Sequence, residues 1–113
     1  MRFLLLFLVS LKLYSISPIS DYLLFSSEKG HVQNVKKALQ SGADINSRDY
    51  FGRTSLIYAS MRGDIEMVTI LMKFGAAASM NFKDRNGKTA LDYAKENKYE
   101  KVQGILKEYG AQE

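Results

Sequence analysis

Cysteine is absent from this chain of 113 residues, which excludes disulfide frameworks, thiolate metal sites and cysteine nucleophiles together. The same absence says little about compartment, because a chain without thiols is tolerated in reducing and oxidising surroundings alike. Proline occurs once, at Pro18, which argues against a loop-rich or all-β scaffold and leaves helices largely unbroken. Histidine also occurs once, at His31, and a triad or a histidine metal site needs company that the sequence does not offer it. No apolar run approaches the roughly 20 residues of a membrane-spanning helix. Charge of one sign is scarce as well: 16 Lys and Arg face 12 Asp and Glu, a net +4. Two of those positive charges, Arg2 and Lys12, lie in the first stretch, so global charge is a weak argument for nucleic acid. Hydrophobic residues at 46% and charged residues at 25% are ordinary for a soluble globular chain, and the length gives room for one domain.

The chain opens on Met1-Arg2 and the apolar run Phe3 to Leu11, which stops at Lys12. A positive start followed by a short apolar run fits a secretory signal peptide over residues 1–17, with Ser15 and Ser17 as small residues at the cleavage spacing. Pro18 just after the cut is unfavourable for cleavage. Two other readings stay open: an apolar helix, Phe3 to Leu13, covering the end of the following domain, or an uncleaved membrane tether in which Lys12 snorkels. The expectation is export to a periplasmic or extracellular space, with a tethered or cytoplasmic protein as the alternative; any membrane contact would run through residues 1–17 alone. With no cysteine after the run, a lipoprotein signal is excluded.

From about residue 21 onward the chain repeats itself. Gly30 and Gly42 recur 33 residues later as Gly63 and Gly75; Gly52, Thr54, Leu56, Ala59 and Gly75 recur 35 residues later as Gly87, Thr89, Leu91, Ala94 and Gly110. A period near 33 signals stacked helical units. In the middle unit Thr54 can cap a helix over Ser55 to Arg62, and Gly63 breaks it. Asp64 can cap a second helix carrying Ile65, Val68, Leu71 and Met72 at three- and four-residue steps, and Gly75 ends that helix. Val32, Val35, Ala38 and Leu39 repeat the pattern before it, and Val102, Ile105 and Leu106 after it.

These residues carry a family resemblance. Asp49-Tyr50-Phe51-Gly52-Arg53-Thr54-Ser55-Leu56-Ile57-Tyr58-Ala59 resembles the ankyrin signature D-x-x-G-x-T-P-L-H-x-A, and the stretch from Asp84 to Ala94 repeats it. Gly42-Ala43-Asp44-Ile45-Asn46 is similar to the family's G-A-D-x-N ending, and Gly30-His31-Val32 to the start of its second helix. The resemblance covers about Asp21 to Ala111. It implies an all-α ankyrin-repeat solenoid over residues 18–113, built of three helix-turn-helix units with β-turn fingers, at about 21–48, 49–83 and 84–113. Departures are informative. The histidine of T-P-L-H is replaced by Ile57 and Asp92, so Thr54 and Thr89 lose their imidazole partner and each unit should loosen slightly. Gly75 to Asp84 holds two more residues than Gly42 to Asp49, so the second finger should be longer. The first unit has Asp21-Tyr22-Leu23 in place of the threonine, and the last has Glu100 for Ile65 and Gln103 for Val68, a polar outer face of the kind a terminal unit needs.

Chemistry finds no constellation here. Gly87-Lys88-Thr89 looks like the end of a phosphate loop, but the required earlier glycine is Phe82. Asp84-Arg85-Asn86-Gly87 looks like a calcium loop, but the expected bidentate glutamate is Lys95. No metal, cofactor or catalytic residue is assigned, and no enzyme activity is expected. Met67, Met72 and Met80 read as core filler, with Met61 set apart. The resemblance implies instead that a partner protein is bound by finger tips and by the exposed side of each first helix. Residue by residue, that places Arg48, Tyr50, Phe51 and Arg53 on the first finger, Lys83, Arg85, Asn86 and Lys88 on the second, and Met61, Arg62, Glu96 and Asn97 along the first-helix groove. Asp49 and Asp84 match structural turn positions and are set aside. The strip suits another protein with an acidic face. The alternative partner is a polyanionic surface, acidic lipid headgroups or nucleic acid, although an export-like leader counts against nucleic acid. A bland reading also competes, in which Tyr50 and Phe51 pack back on the neighbouring loop.

Overall fold

The computed structural model describes residues 17–113; the segment read as a signal peptide lies outside them except for Ser17. Six α-helices follow one another among the described residues: α1 (Pro18–Lys29), α2 (Val32–Gln40), α3 (Ser55–Arg62), α4 (Ile65–Lys73), α5 (Ala90–Glu96) and α6 (Glu100–Glu108). Four of them start at a proline or at a side-chain oxygen that meets the free N–H groups of the first turn; α2 and α6 follow His31 and Tyr99, which make no side-chain cap. Pro18 opens α1, where a missing N–H costs nothing. Thr54 Oγ1 accepts from Ile57 N at 3.2 Å, and Asp64 Oδ1 accepts from Met67 N at 3.0 Å. Each first helix turns into the second within about two residues through a left-handed position: Gly30 at φ +77°, Gly63 at +67°, and in the third unit Lys98 at +58°. A side chain is rare there, because Cβ crowds the following carbonyl.

The helices pack as three antiparallel pairs, with α1, α3 and α5 forming one row and α2, α4 and α6 the other. The core is one continuous cluster that runs from Leu23 through Leu56, Met67, Val68 and Leu71 to Leu91, Val102 and Leu106. Position in the stack decides burial. Six consecutive residues of α3, Ser55 to Ser60, are buried because a unit covers each side of them. At the first unit, Tyr22 and Phe25 occupy the places of Ser55 and Tyr58 and are exposed. At the last unit, Lys95 and Lys107 stand exposed where Ser60 and Met72 are buried. The polar outer face thus comes from Lys95, Gln103 and Lys107; Glu100 adds little to it, since its counterpart Ile65 is itself exposed. Met67, Met72 and Met80 are buried, and Met61 is half-buried against the core.

One expectation needs correction. The second finger is not longer at its tip: both tips close with the same five-residue bond, Asp49 N to Arg53 O at 3.1 Å and Asp84 N to Lys88 O at 2.9 Å. The two extra residues wind into a 3-10 turn, Ala76–Ser79, which buries Ala76 and Met80 before the finger begins. At the position of the family's histidine the third unit has a tie that the second, with Ile57, lacks. Asp92 completes a capping box with Thr89, and one position after the family's histidine Tyr58 and Tyr93 bind the fingers of the second and third units.

Candidate partner-binding surface

Each finger is built around one aspartate. Asp49 Oδ1 accepts from the N–H of Phe51 at 2.9 Å and of Arg53 at 3.0 Å; Asp84 Oδ1 accepts from Asn86 N at 2.9 Å and Lys88 N at 3.1 Å. Their Oδ2 atoms accept the phenol O–H of Tyr58 and of Tyr93 from the first helix of the same unit. One carboxylate therefore folds the turn and also anchors it to a helix. Burial pushes the Tyr58 phenol up to about 12, aided by the negative charge of Asp49. Burial also opposes ionisation of Asp84, but donors from Tyr93, the Lys88 and Asn86 amides and Arg53 outweigh it, and its carboxyl is held below the ordinary value.

The two fingers lie side by side. Arg85 N donates to Phe51 O at 2.9 Å, and the Arg53 guanidinium reaches back to Asp84 Oδ2, Nε to oxygen 3.4 Å. At the first tip Tyr50 and Phe51 pack edge to face with ring centres 5.7 Å apart, yet remain 73% and 53% exposed. They do not pack back on the neighbouring loop as core. Instead, cations cover them: Arg85 lies 4.1 Å above the Tyr50 ring and Arg53 5.2 Å from the Phe51 ring. Arg48 lies 3.7 Å above Phe82.

The structure sorts the sequence-derived residues by environment. Tyr50, Phe51 and Arg85 come together at the tips, Arg48 lies over Phe82 at the base of the second finger, and Lys83 is exposed. Arg53 is half-buried and bound to Asp84, so its charge serves the joint between units; burial lowers its basicity, but the Tyr93 and Tyr58 oxygens and Asp84 outweigh that and raise it. Lys88 pairs with Glu96 at 2.7 Å, which raises the Lys88 pKa. Asn86 donates to the Tyr93 hydroxyl at 3.3 Å, and Asn97 donates to the Tyr93 carbonyl at 3.0 Å as it closes α5. Met61 is half-buried, and the exposed Arg62 lays its guanidinium over Gly30 of the preceding unit. Sequence reasoning missed Tyr58, Tyr93 and Phe82. The two tyrosines share the 35-residue offset of the signature block and were findable on that ground; Phe82 stands where the first unit has Ser47, and no repeat signal marks it.

Among the described residues no three His, Cys, Asp or Glu gather as a metal site would require, and no helix is long and apolar enough to cross a membrane. Comparison with known proteins gives one family: the model for ankyrin repeats (three copies) matches residues 23–113. Among similar proteins is a probable E3 ubiquitin-protein ligase of Oryza sativa subsp. japonica, 39% identical over 56 residues, covering 50% of this chain and 11% of that protein. A probable palmitoyltransferase of Saccharomyces uvarum is 45% identical over 40 residues, 35% of this chain and 6% of that protein. A putative ankyrin repeat protein of Fowlpox virus is 42% identical over 38 residues, 34% of this chain and 6% of that protein. The chain spans about a tenth or less of the length of these relatives.

Proposed function

The chain belongs to the ankyrin-repeat family, and from that premise we propose that it is a non-catalytic module that binds a partner protein across its two finger tips and the adjoining first-helix groove. Ankyrin repeats are in general protein-interaction units. One observation carries the reading for this chain: Tyr50 and Phe51 stand exposed side by side at the tip, with Arg85 stacked on one of them. Aromatic and arginine side chains are the types that anchor interfaces once desolvated. Covering the two rings would contribute roughly 1.5–3 kcal/mol each before the costs of association. The relatives' printed names differ from one another, a ligase, a transferase and a viral repeat protein, while the matched stretch is shared. That supports a binding role for the shared stretch over any one of the named activities. An acidic partner face fits the cations at the tips.

Affinity capture comparing wild type with the Tyr50→Ala/Phe51→Ala double variant tests the reading. The expected result is loss of the partner with an unchanged melting temperature; retained capture, or a variant that no longer folds, overturns the assignment of these rings as contacts. The second reading, a polyanionic surface, rests on Arg48, Arg53, Arg62, Lys83, Arg85 and Lys88, of which Arg53 and Lys88 already pair with carboxylates, and it requires binding that falls steeply with salt and tolerates many polyanions. We read residues 1–17 as an export signal, and N-terminal sequencing of the purified protein tests that: a chain beginning at Met1 rejects cleavage.

A further inference from the structure

The two fingers exchange guanidinium groups. Arg48, from the first finger, lies over Phe82 at the base of the second, 3.7 Å from the ring centre; Arg85, from the second finger, lies over Tyr50 of the first at 4.1 Å. The stacks cross the boundary between units in opposite directions, and the Arg85 N to Phe51 O bond holds that boundary at 2.9 Å. A guanidinium lying over a ring is fixed in plane and keeps its N–H fork at the edge, the geometry that meets a carboxylate through two parallel hydrogen bonds. Among the described residues neither Arg48 nor Arg85 has a carboxylate partner, whereas Arg53 and Lys88 do. The finger carboxylates do not supply one, because Asp49 and Asp84 are engaged by backbone N–H groups and phenols.

We propose that Arg48 and Arg85 are the specificity-determining pair of this surface, and that they read the side-chain carboxylates of an acidic peptide segment by bidentate hydrogen bonding. This rests on the protein-binding reading above and adds the partner's chemistry to it. Recognition then depends on the planar fork, and a lysine of equal charge cannot replace it.

The test uses the full chain and a fluorescein-labelled oligoglutamate peptide, with fluorescence anisotropy at fixed ionic strength; an oligothymidylate of equal charge is the competitor class. Arg48→Lys and Arg85→Lys should each weaken peptide binding by about ten-fold, the scale of one lost bidentate contact. Lys83→Arg should leave it unchanged or tighter, and Lys101→Ala on α6 should leave it unchanged. Circular dichroism and melting temperature of each variant confirm that the fold is intact. Wild-type affinity retained in both Arg→Lys variants overturns the proposal, as does oligothymidylate binding as tightly as oligoglutamate. Absence of any oligoglutamate binding overturns it too. If capture of a protein partner still depends on Tyr50 and Phe51 in that last case, the interface stands and only its carboxylate specificity falls.

Discussion

Gly30, Gly63 and Lys98 occupy one turn position in three successive units, and the structure assigns each a different cost of change. All three have positive φ, +77°, +67° and +58°. At Lys98 the strain is already present, so Lys98→Gly should relieve it. The left-handed conformation costs a residue with Cβ about 1–2 kcal/mol, and the greater freedom of glycine in the unfolded chain returns about 0.4–1 kcal/mol of that. The net gain is about 0.5–1 kcal/mol, or about 2–8 °C in melting temperature for a domain of this size. Gly63→Ala acts in the other direction, and more strongly. Its new Cβ would sit 2.8 Å from the ring of Tyr99, a half-buried residue packed on the core, so overpacking adds to strain and the loss is about 2–4 kcal/mol. Gly30→Ala places Cβ even nearer to a neighbour, 2.4 Å from the Arg62 guanidinium, but that neighbour is the free end of an exposed side chain and can swing away. Its cost is strain alone, about 1 kcal/mol. Urea unfolding followed by far-ultraviolet circular dichroism gives the three values directly. Two results would refute the reasoning: a Lys98→Gly variant no more stable than wild type, or a Gly30→Ala variant as damaged as Gly63→Ala.

The other expectations concern the finger anchors and the core. Asp84→Ala removes a buried carboxylate that holds two amides, a phenol and a guanidinium, and should cost about 3–5 kcal/mol. Asp49→Ala, at a carboxylate that meets no guanidinium among the described residues, should cost less, about 2–3 kcal/mol; equal losses in chemical denaturation contradict the role given to the Arg53 side chain. Because the folded Asp84 carboxyl is held below its unfolded value, its contribution is full above about pH 4 and drains as pH falls through the folded value, so acid unfolding of Asp84→Asn should lack that limb. Tyr58 behaves oppositely: its raised pKa means that the stability it contributes is present below about pH 10 and lost as pH climbs toward about 12, and the late-ionising component of a spectroscopic titration should shrink in Tyr58→Phe. Ser26 is buried with its hydroxyl unpartnered among the described residues, and the later units carry Ala59 and Ala94 in its place. Ser26→Ala should therefore stabilise by about 0.5–1 kcal/mol in thermal unfolding, and a loss would show that the hydroxyl is satisfied in solution.

Much of the fold was legible because glycine and threonine recur at a fixed offset, and those residues are demanded by left-handed turns and helix caps that no other chemistry fills as well. The limits Ser55 to Arg62 follow directly from Thr54 and Gly63. Lengths of connections were less legible. Counting residues between Gly75 and Asp84 shows that two are extra, but whether they extend a tip or wind into a turn depends on whether Ala76 and Met80 find a core to enter, which is a tertiary fact. Charge partners were the least legible part of the surface. Arg48, Arg53, Arg85 and Lys88 look alike in a row of letters, and all four lie over rings; only the packing of one unit on the next shows that Arg53 and Lys88 also bind carboxylates.

The 3-10 turn at Ala76–Ser79 has a consequence for how such arrays can vary. It lies upstream of Asp84, and its surplus length is folded inward, so Arg85 N still meets Phe51 O as though the connection were of ordinary length. One polar contact does differ between the units: Asn81 Oδ1 accepts from Gln112 N at 3.0 Å, while the equivalent atom of Asn46 has no partner among the described residues. The spacing of the two finger tips is thus insulated from the length of the chain behind them. A loop added to this connection for labelling or grafting is expected to leave the pitch between successive fingers unchanged, provided that Ala76, Ser79 and Met80 keep their buried places.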